Sequence, residues 1–336
     1  MRILVYSPLF YPSIGGLESI IESLAYEFSG QGHEVKVIST LIDKDLKNFP
    51  FEVVRQPSFP KVLSLVDWCD IFFHGCISLK GIWPLLSKPR PLIATHQTWY
   101  RRPSGNVSWQ DGLKLWLTRF STNISASQAI ANHLPAPSHI VPNAYRSDLF
   151  RELPNASRNK DLVFLGRLVS DKGVSLLLDA LSQLRHLGHA PTLTIIGQGP
   201  EELNLCQQVQ TLALTNQVTF TGPKLGAELV EQLNTHRIMV IPSLWDEPFG
   251  IVALEGIACG CVVVASSGGG LKDAVGPCGI TFPNGNVQAL TETLVHLLNH
   301  PERLASYTAP ATAHLARHHP ATVAKAYLEI FETALK

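Results

Sequence analysis

The sequence predicts an α/β protein built from two doubly wound parallel sheets in tandem. Short apolar runs of strand length alternate with amphipathic helical segments along most of the chain. A polar stretch at 143–160 interrupts this alternation, and the same pattern starts again after it. The length of 336 residues is too great for one compact core and fits two domains of ordinary size.

The first half of the chain begins with a strand, a helix and a strand. "RILVYS" is an apolar run of strand length, and 15–33 carries apolar residues at helical spacing until Gly30 and Gly32 end the helix. Further strands are predicted at 34–40, 70–76, 91–96 and 123–127. These elements define a first, Rossmann-like domain at 1–152.

The second half repeats the pattern. A helix is predicted at 174–188, and strands are predicted at 161–166, 192–197, 217–222, 237–243 and 261–267. They define a second Rossmann-like domain at 160–312, with a ligand cleft expected between the two. The last segment, 313–336, is predicted to be a helix that crosses back to the first domain.

Composition excludes several classes of protein. Lys plus Arg and Asp plus Glu both total 27, which argues against a long basic surface for nucleic acid. The N-terminal apolar run is too short for a signal peptide, and no apolar stretch is long enough to cross a bilayer. A cytoplasmic location is predicted, and peripheral contact with the inner face of a membrane stays compatible with it. Six cysteines without a CxxC pair are interpreted as reduced structural thiols rather than a metal site.

Chemistry is expected beyond the carboxyl ends of the strands, where open parallel sheets bind ligands. Gly15 and Gly16 open a helix there, and free backbone N–H groups with the helix dipole suit an anion, although a plain tight turn is the alternative. Arg167 and Lys172 follow the first strand of the second domain and could clamp phosphate oxygens. The alternative is two solvated loop cations.

"EPFGIVALEGIACG" at 247–260 places two glutamates in an otherwise apolar run. Pro248 and Gly250 predict that a helix begins near Gly250 and ends near Gly260. Glu247 would then lie just before the helix and Glu255 inside it, close to backbone N–H groups that are free to bind a ligand. The alternative is a capping carboxylate and an exposed helical glutamate.

Three further patterns are weaker. "GQGPEE" at 197–202 resembles a dinucleotide fingerprint but lacks its third glycine, so NAD binding is not expected. "DKD" at 43–45 has the carboxylate spacing of a metal-dependent sugar-nucleotide site, and a solvated loop is favoured. Within 99–120, an apolar stripe is predicted to be core, with a membrane-facing surface as the alternative; it consists of Trp109, Leu113, Trp116, Leu117 and Phe120.

Taken together, the segment 247–260 and "VFLGRLVSDKG" at 163–173 resemble the E-x7-E motif and the Gly–Arg…Lys–Gly segment of retaining glycosyltransferases of family four. "IGGLE" at 14–18 is similar to that family's N-terminal glycine loop, and the resemblance covers nearly the whole chain. It implies the GT-B fold. The chain departs from the family pattern at "NAY" (143–145), where Asn–Gly–Val is usual, and at Asp273, where Glu is common.

The resemblance implies a role for each candidate residue toward a nucleotide diphosphate sugar. Arg167 and Lys172, next to Gly166, would hold the diphosphate, while Glu255 would accept the ribose hydroxyls. The donor sugar would meet Glu247, the backbone of 249–251 (Phe249, Gly250 and Ile251) and His96. Gly15 and Gly16 would approach the phosphate from the first domain. The acceptor-side candidates are Arg101, Arg102 and Glu18.

The predicted activity is therefore retaining, metal-independent transfer of a sugar to a glycan or glycolipid, in bacterial surface polysaccharide synthesis. Family frequency favours a UDP-sugar donor. No cofactor, metal or nucleic acid is expected. Two alternatives stay open at this point: a sugar-nucleotide epimerase of the same fold and a catalytically silent sugar-nucleotide-binding subunit.

Overall fold

The computed structural model describes residues 1–13, 15–42, 47–101 and 105–336. The strands run in chain order as β1 (Arg2–Tyr6), β2 (Glu34–Ser39), β3 (Glu52–Arg55), β4 (Ile71–His74), β5 (Leu92–His96), β6 (Thr122–Ser125), β7 (Ser138–Ile140), β8 (Lys160–Leu165), β9 (Leu193–Ile196), β10 (Val218–Gly222), β11 (His236–Ile241), β12 (Val262–Ser266) and β13 (Gly279–Phe282).

The helices are α1 (Gly16–Gly30), α2 (Phe59–Trp68), α3 (Leu79–Ile82), α4 (Trp109–Leu117), α5 (Gln128–His133), α6 (Val174–His186), α7 (Glu202–Thr211), α8 (Gly226–Asn234), α9 (Ile251–Ala258), α10 (Leu271–Val275), α11 (Val287–Asn299), α12 (Leu304–Thr308), α13 (Ala311–Arg317) and α14 (Pro320–Ala334). Among the described residues, no helix combines the length and apolar character that crossing a bilayer requires.

The described strands form two sheets, and every pairing between neighbours is parallel. The first has the order β3-β2-β1-β4-β5-β6-β7, and the second has the order β10-β9-β8-β11-β12-β13. Strands β4, β5, β9 and β12 are buried along their whole length, as expected of strands covered by helices on both faces. This confirms the predicted α/β fold class. The order of strands reverses between β1 and β4 in one sheet and between β8 and β11 in the other.

The chain divides into two compact units, residues 1–144 with 320–336 and residues 145–319. The C-terminal helix α14 belongs to the first unit because its buried face packs there. The Phe331 ring lies 5.4 Å from that of Phe28, and Tyr327 packs edge-on against Phe73. The Tyr327 hydroxyl also lies 2.8 Å from Thr95 Oγ1.

Residues 145–152, expected in the first domain, and 313–319, expected with the last helix, both lie in the second unit. The segment 145–159 is irregular, as predicted for a linker, but hydrogen bonds hold it on that unit. Asn234 accepts from the Leu153 backbone N–H through Oδ1 and donates to the Arg151 carbonyl through Nδ2. The Arg158 guanidinium donates to the carbonyl of Cys259.

The amphipathic helix α4 corrects one prediction. Its apolar stripe was expected in the core, yet four of the five side chains are exposed and Leu117 is half-buried. The exposed members are Trp109, Leu113, Trp116 and Phe120. The polar side chains of Asp111 and Thr118 lie on the less exposed side of the same segment. Spacing alone shows which side chains share a helix face and does not decide which face turns inward.

Candidate active site

In the second unit, Lys172 and Glu247 meet where the order of the strands reverses. Lys172 follows β8 and Glu247 follows the neighbouring strand β11, and Lys172 Nζ lies 2.5 Å from Glu247 Oε1. Both side chains are mostly buried, with 24% and 14% of their surface exposed. An ammonium and a carboxylate held at this depth form a charged pair at the position where open α/β sheets bind ligands.

The loop that carries Lys172 is held against the loop after β11. The carbonyl of Asp171 accepts the backbone N–H of Leu244 at 2.8 Å. Gly173 then has φ +69°, and a Cβ there would lie 1.9 Å from the carbonyl oxygen of Pro242. Only glycine allows this close approach, which fixes the height of Lys172 above the sheet.

Glu247 is oriented by the residues around it. Ser243 Oγ donates to Glu247 Oε1 at 2.8 Å, so that oxygen meets both a hydroxyl and an ammonium. The Glu247 carbonyl accepts from the N–H of Gly270 at 2.7 Å, and Gly269, at φ +65°, lets the loop after β12 approach it. Sequence reasoning missed Ser243; its position at the carboxyl end of the predicted strand 237–243 was the available signal.

Helix α9 begins and ends as the sequence predicts. Gly250 has φ +100° and precedes the first helical residue, Ile251, while the helix ends at Ala258. The first turn has no side-chain hydrogen-bond cap from any described residue. Apart from that of Ala253, which bonds the Gly250 carbonyl, the backbone N–H groups of that turn are available to a ligand beside Glu247.

Glu255 lies inside α9 and is half-buried. Burial raises the pKa of its carboxyl to about 7, and the nearby positive charge of Arg146 opposes that rise. The carboxyl is thus poised between its neutral and charged forms near neutral pH, which is typical of functional sites. Arg146 was not predicted as a site residue because it lies in the segment interpreted as a linker.

Gly166 and Arg167 form the turn after β8. The side chain of Arg167 is exposed and has no ion-pair partner among the residues that the structure describes. The glycines of "GQGPEE" have a structural explanation here. A Cβ on Gly197 would lie 1.8 Å from the carbonyl oxygen of Gly166, and one on Gly199 would lie 2.2 Å from that of Leu168. They allow two loops to pack together at the edge that carries Arg167.

His96, in the first unit, is fully buried at the end of β5. Nδ1 lies 2.8 Å from the Tyr100 hydroxyl and Nε2 lies 3.0 Å from Asn123 Oδ1. The Asn123 amide donates to the carbonyls of Thr118 and Pro137, so its oxygen is the acceptor and His96 Nε2 carries the proton. Burial lowers the pKa of His96 to about 4, so the ring is neutral at neutral pH.

Gly15 and Gly16 begin α1 in the first unit, as predicted. The Glu18 carboxylate is buried beside Gly15 and accepts a hydrogen bond from Ser13 Oγ at 3.2 Å. This places a negative charge at the start of α1, where the helix dipole favours one. Arg101 lies over the Trp99 ring, with 4.6 Å from its guanidinium carbon to the ring centroid.

Two predicted features fall outside the described residues, namely Arg102 and the "DKD" segment at 43–45. Within the described part of the chain, no three side chains of His, Cys, Asp or Glu come together as a metal-binding group. The six cysteines are free thiols, as predicted.

The first unit contains a cavity of about 370 Å³ where the order of its strands reverses. The loops after β1 and β4 form its walls, and α4 closes one side. Its polar lining comes from Ser7, Ser78, Lys80, Gln110 and Lys114. A cavity at this point of a doubly wound sheet is a candidate binding site, and its two ammonium groups favour a ligand with anionic or hydroxyl groups.

The fold and the second unit's site define a class of protein. Residues 146–313, half of the chain, match the family described as "Glycosyl transferases group 1". The chain belongs to this glycosyltransferase family.

Particular relatives agree with this family. The GDP-mannose-dependent alpha-(1-6)-phosphatidylinositol monomannoside mannosyltransferase of Mycolicibacterium smegmatis is 30% identical over 88% of this chain and 89% of its own length. A glycogen synthase of Mycobacterium tuberculosis is 30% identical over 72% of this chain, but the match spans only 61% of that protein.

Among solved structures, Anabaena Alr3699/HepE in complex with UDP superimposes with a TM-score of 0.84 at 22% identity, covering 99% of this chain and all of that chain. At this identity the likeness concerns the fold, which is the GT-B architecture expected from the sequence.

Proposed function

We propose that this chain is a retaining, metal-independent glycosyltransferase that moves a sugar from a nucleotide diphosphate sugar to a glycan or glycolipid in surface polysaccharide synthesis. The observation that carries the proposal is the Lys172–Glu247 pair at the strand-order reversal of the second sheet. The pair places a cation for the diphosphate beside a carboxylate that can accept sugar hydroxyls.

In this proposal, donor binding replaces the pair with two ligand contacts. Lys172 and Arg167 bind the diphosphate, and their charge stabilises the negative charge that builds up on the leaving phosphate. Glu247 is then free to accept hydroxyls of the donor sugar. Phe249 is buried, and the backbone from Gly250 into α9 supplies N–H donors to the same ligand.

The transfer step balances without a cofactor. The bond from the sugar anomeric carbon to the phosphate oxygen breaks, and a bond from the acceptor hydroxyl oxygen forms on the same face. The acceptor proton passes to the departing phosphate oxygen, and the nucleoside diphosphate is released. Because the leaving group takes the proton, the step needs no protein base.

Glu255 would accept the ribose hydroxyls, and its charged form is the better acceptor. His96 would contribute as a neutral imidazole, because the low pKa of its buried ring prevents it from acting as a general acid at neutral pH. Contact with the donor sugar requires His96 to exchange its hydrogen bond to Tyr100 or Asn123 for one to the ligand.

The donor is proposed to be a UDP-sugar. The names of the similar proteins differ in the nucleotide, since the mannosyltransferase is GDP-mannose-dependent and the Anabaena structure contains UDP. A thermal-shift screen against UDP-, GDP- and ADP-sugars discriminates between them, because a ligand of the folded state raises the melting temperature. A shift with GDP-mannose and none with any UDP-sugar would replace this part of the proposal.

The acceptor is proposed to bind in the 370 Å³ cavity of the first unit, beside Lys80 and Lys114. The acceptor-side candidates Arg101 and Glu18 belong to the same unit. Replacing Lys80 with Ala is expected to raise the KM for the acceptor and to leave donor binding unchanged. A lower donor affinity in K80A would place the cavity on the donor side instead.

The site as a whole is tested with Lys172→Ala and Glu247→Gln. Each is expected to reduce transfer by about two orders of magnitude, the scale for removal of one strong electrostatic contact with the transition state. Lys224→Ala is the matched control, because Lys224 pairs with Glu228 elsewhere on the same unit. Full activity in both site variants would refute the proposal.

The same assay separates the two alternatives. Product formed from the donor alone, with no acceptor present, would indicate an epimerase. Donor binding without transfer to any acceptor and without donor hydrolysis would indicate a silent binding subunit.

A further inference from the structure

A further cavity of the first unit lies at the amino ends of β6 and β7. It has a volume of about 470 Å³ and is lined by residues of two segments, 118–123 and 135–139. We call it the amino-edge cavity. The candidate active site lies at the opposite edge, beyond the carboxyl ends of the strands, where open parallel sheets bind their ligands. The amino-edge cavity is therefore separate from the proposed donor and acceptor sites.

Three polar side chains of the amino-edge cavity are available to a ligand. The Arg119 guanidinium, the Thr122 hydroxyl and the His139 ring form no hydrogen bond or ion pair with any residue that the structure describes. Neither lining segment contains Asp or Glu. A guanidinium and an imidazole without a competing carboxylate favour an anion, and an arginine can bind two phosphate oxygens at once.

The rest of the lining suits a ligand that carries hydroxyl groups. Thr118 Oγ1 donates to the Leu115 carbonyl at 2.6 Å, and Ser121 Oγ donates to Asn123 Oδ1 at 2.8 Å. A hydroxyl that donates inside the protein can still accept a hydrogen bond from a ligand. The lining therefore combines a cation with several hydroxyl acceptors, as recognition of a phosphorylated sugar requires.

Asn123 joins the two lining segments of the amino-edge cavity. Its Nδ2 donates to the carbonyl of Thr118 at 2.8 Å in one segment and to that of Pro137 at 3.1 Å in the other. Its Oδ1 accepts from His96 Nε2 at 3.0 Å, and the side chain is buried. A ligand that contacts both segments therefore stabilises the amide that orients the His96 ring.

We propose that the amino-edge cavity binds a soluble hexose phosphate and that the bound molecule promotes transfer through Asn123 and His96. The phosphate contacts Arg119 and His139, and the sugar hydroxyls contact Thr122 and the neighbouring hydroxyls. The volume of about 470 Å³ lies within the range of small-molecule sites. The effect on transfer rests on the proposed function, whereas the binding itself does not.

Binding is tested by calorimetric titration of the full chain with glucose 6-phosphate, mannose 6-phosphate and fructose 6-phosphate. At least one is expected to bind, and Arg119→Ala is expected to weaken its binding at least about tenfold, because a charged contact with the phosphate is lost. Lys61→Ala is the matched control, since Lys61 is an exposed cation on α2 of the same unit and does not line the cavity. Arg119 is exposed as well, so both variants should keep the native melting temperature.

Lys172→Ala separates this cavity from the proposed diphosphate site of the second unit, and it is expected to bind the hexose phosphate as the native chain does. Three results would overturn the proposal: no binding of any of the three compounds, loss of binding in Lys172→Ala but not in Arg119→Ala, or equal weakening in the Lys61 control. Inorganic phosphate that binds as tightly as the hexose phosphates would exclude recognition of the sugar.

The effect on transfer is measured with the hexose phosphate that binds. A saturating concentration is expected to raise kcat of the native chain at least about twofold, and the same concentration should have less effect on Arg119→Ala. An unchanged or lower kcat with binding intact would refute the link to His96. A chain that binds the hexose phosphate and transfers no sugar would contradict the proposed function while supporting the site.

Discussion

Glu255 is a residue at which the proposed contact with a ligand conflicts with stability. Burial raises the pKa of its carboxyl from an ordinary value of 4.5 to about 7. The raised pKa contributes its full stabilisation of the folded state below pH 4.5. That contribution is lost as the pH rises to about 7, because Glu255 gives up its proton at lower pH in the unfolded chain than in the folded one. Glu255→Gln is expected to raise the free energy of unfolding at pH 8 by about 2 kcal/mol, and by much less at pH 4.5.

Urea unfolding of the native and variant chains at the two pH values measures this difference. Glu231→Gln, an exposed position on α8 of the same unit, serves as control and should change stability by less than about 0.5 kcal/mol. A gain at pH 4.5 as large as that at pH 8 would mean that packing, rather than ionisation, explains the effect.

Single residues were predictable from the sequence where a motif fixes them. Lys172 and Glu247 were both expected in the site, but their direct contact was not, because 75 positions separate them in the chain. Ser243 was missed for a similar reason. A serine at a strand end carries no signal until the fold places it against Glu247 Oε1.

The turn into α6 depends on a glycine. Gly173→Ala is expected to destabilise the second unit by about 3 kcal/mol or more, because the new Cβ would meet the Pro242 carbonyl and φ is +69°. Gly222→Ala is the control, because Gly222 has φ +68° with open space around it and should cost about 1 kcal/mol. Chemical denaturation of both variants measures the two costs, and equal costs would exclude the close approach as the cause.

Helices and strands with a regular spacing of apolar residues were predicted well. Elements whose formation depends on neighbouring parts of the fold were not. The helix expected at 15–33 is α1, Gly16–Gly30, and the start of α9 follows from Pro248 and Gly250. The short edge strands β3 and β7 were not predicted, since each pairs along one side only and has no buried apolar run. For α4, periodicity identified the stripe correctly, but not which side of the segment turns inward, where Thr118 is fully buried.

At the scale of the whole molecule, the two units are expected to respond differently to acid. Burial lowers the pKa of His74 to about 3 and of His96 to about 4, both in the first unit, and of His236 to about 4 in the second. Below about pH 6.5 these histidines bind protons in the unfolded chain but not in the folded protein. The free energy of unfolding therefore falls toward pH 4. In the second unit, the rising protonation of Glu255 opposes this loss.

The first unit should therefore unfold first on acidification. Amide hydrogen exchange at pH 5 is expected to speed up in β1, β4 and β5 before it does in β8 and β11. Replacing His236 with Gln should remove part of the second unit's acid sensitivity without changing the first. Loss of protection in both units at the same pH would contradict this assignment.

The first unit depends on the end of the chain. Phe331→Ala in α14 should destabilise that unit by about 3–5 kcal/mol, because a fully buried ring is lost from its contacts with Phe28 and Phe73. Leu335→Ala, at an exposed position just after α14, should change little. Hydrogen exchange resolved by unit measures both variants. Faster exchange in the second unit of the Phe331 variant would argue against the assignment of α14.

The position of α14 also affects how the chain can fold during its synthesis. Every strand of the first sheet leaves the ribosome before any strand of the second, yet Phe28 and Phe73 lack their cover until residues 320–334 have been made. The second unit ends at residue 319 and needs nothing that is translated later. Of the two units, the one translated first is therefore the last to be completed, and its uncovered aromatic rings must avoid aggregation while residues 145–319 are being made.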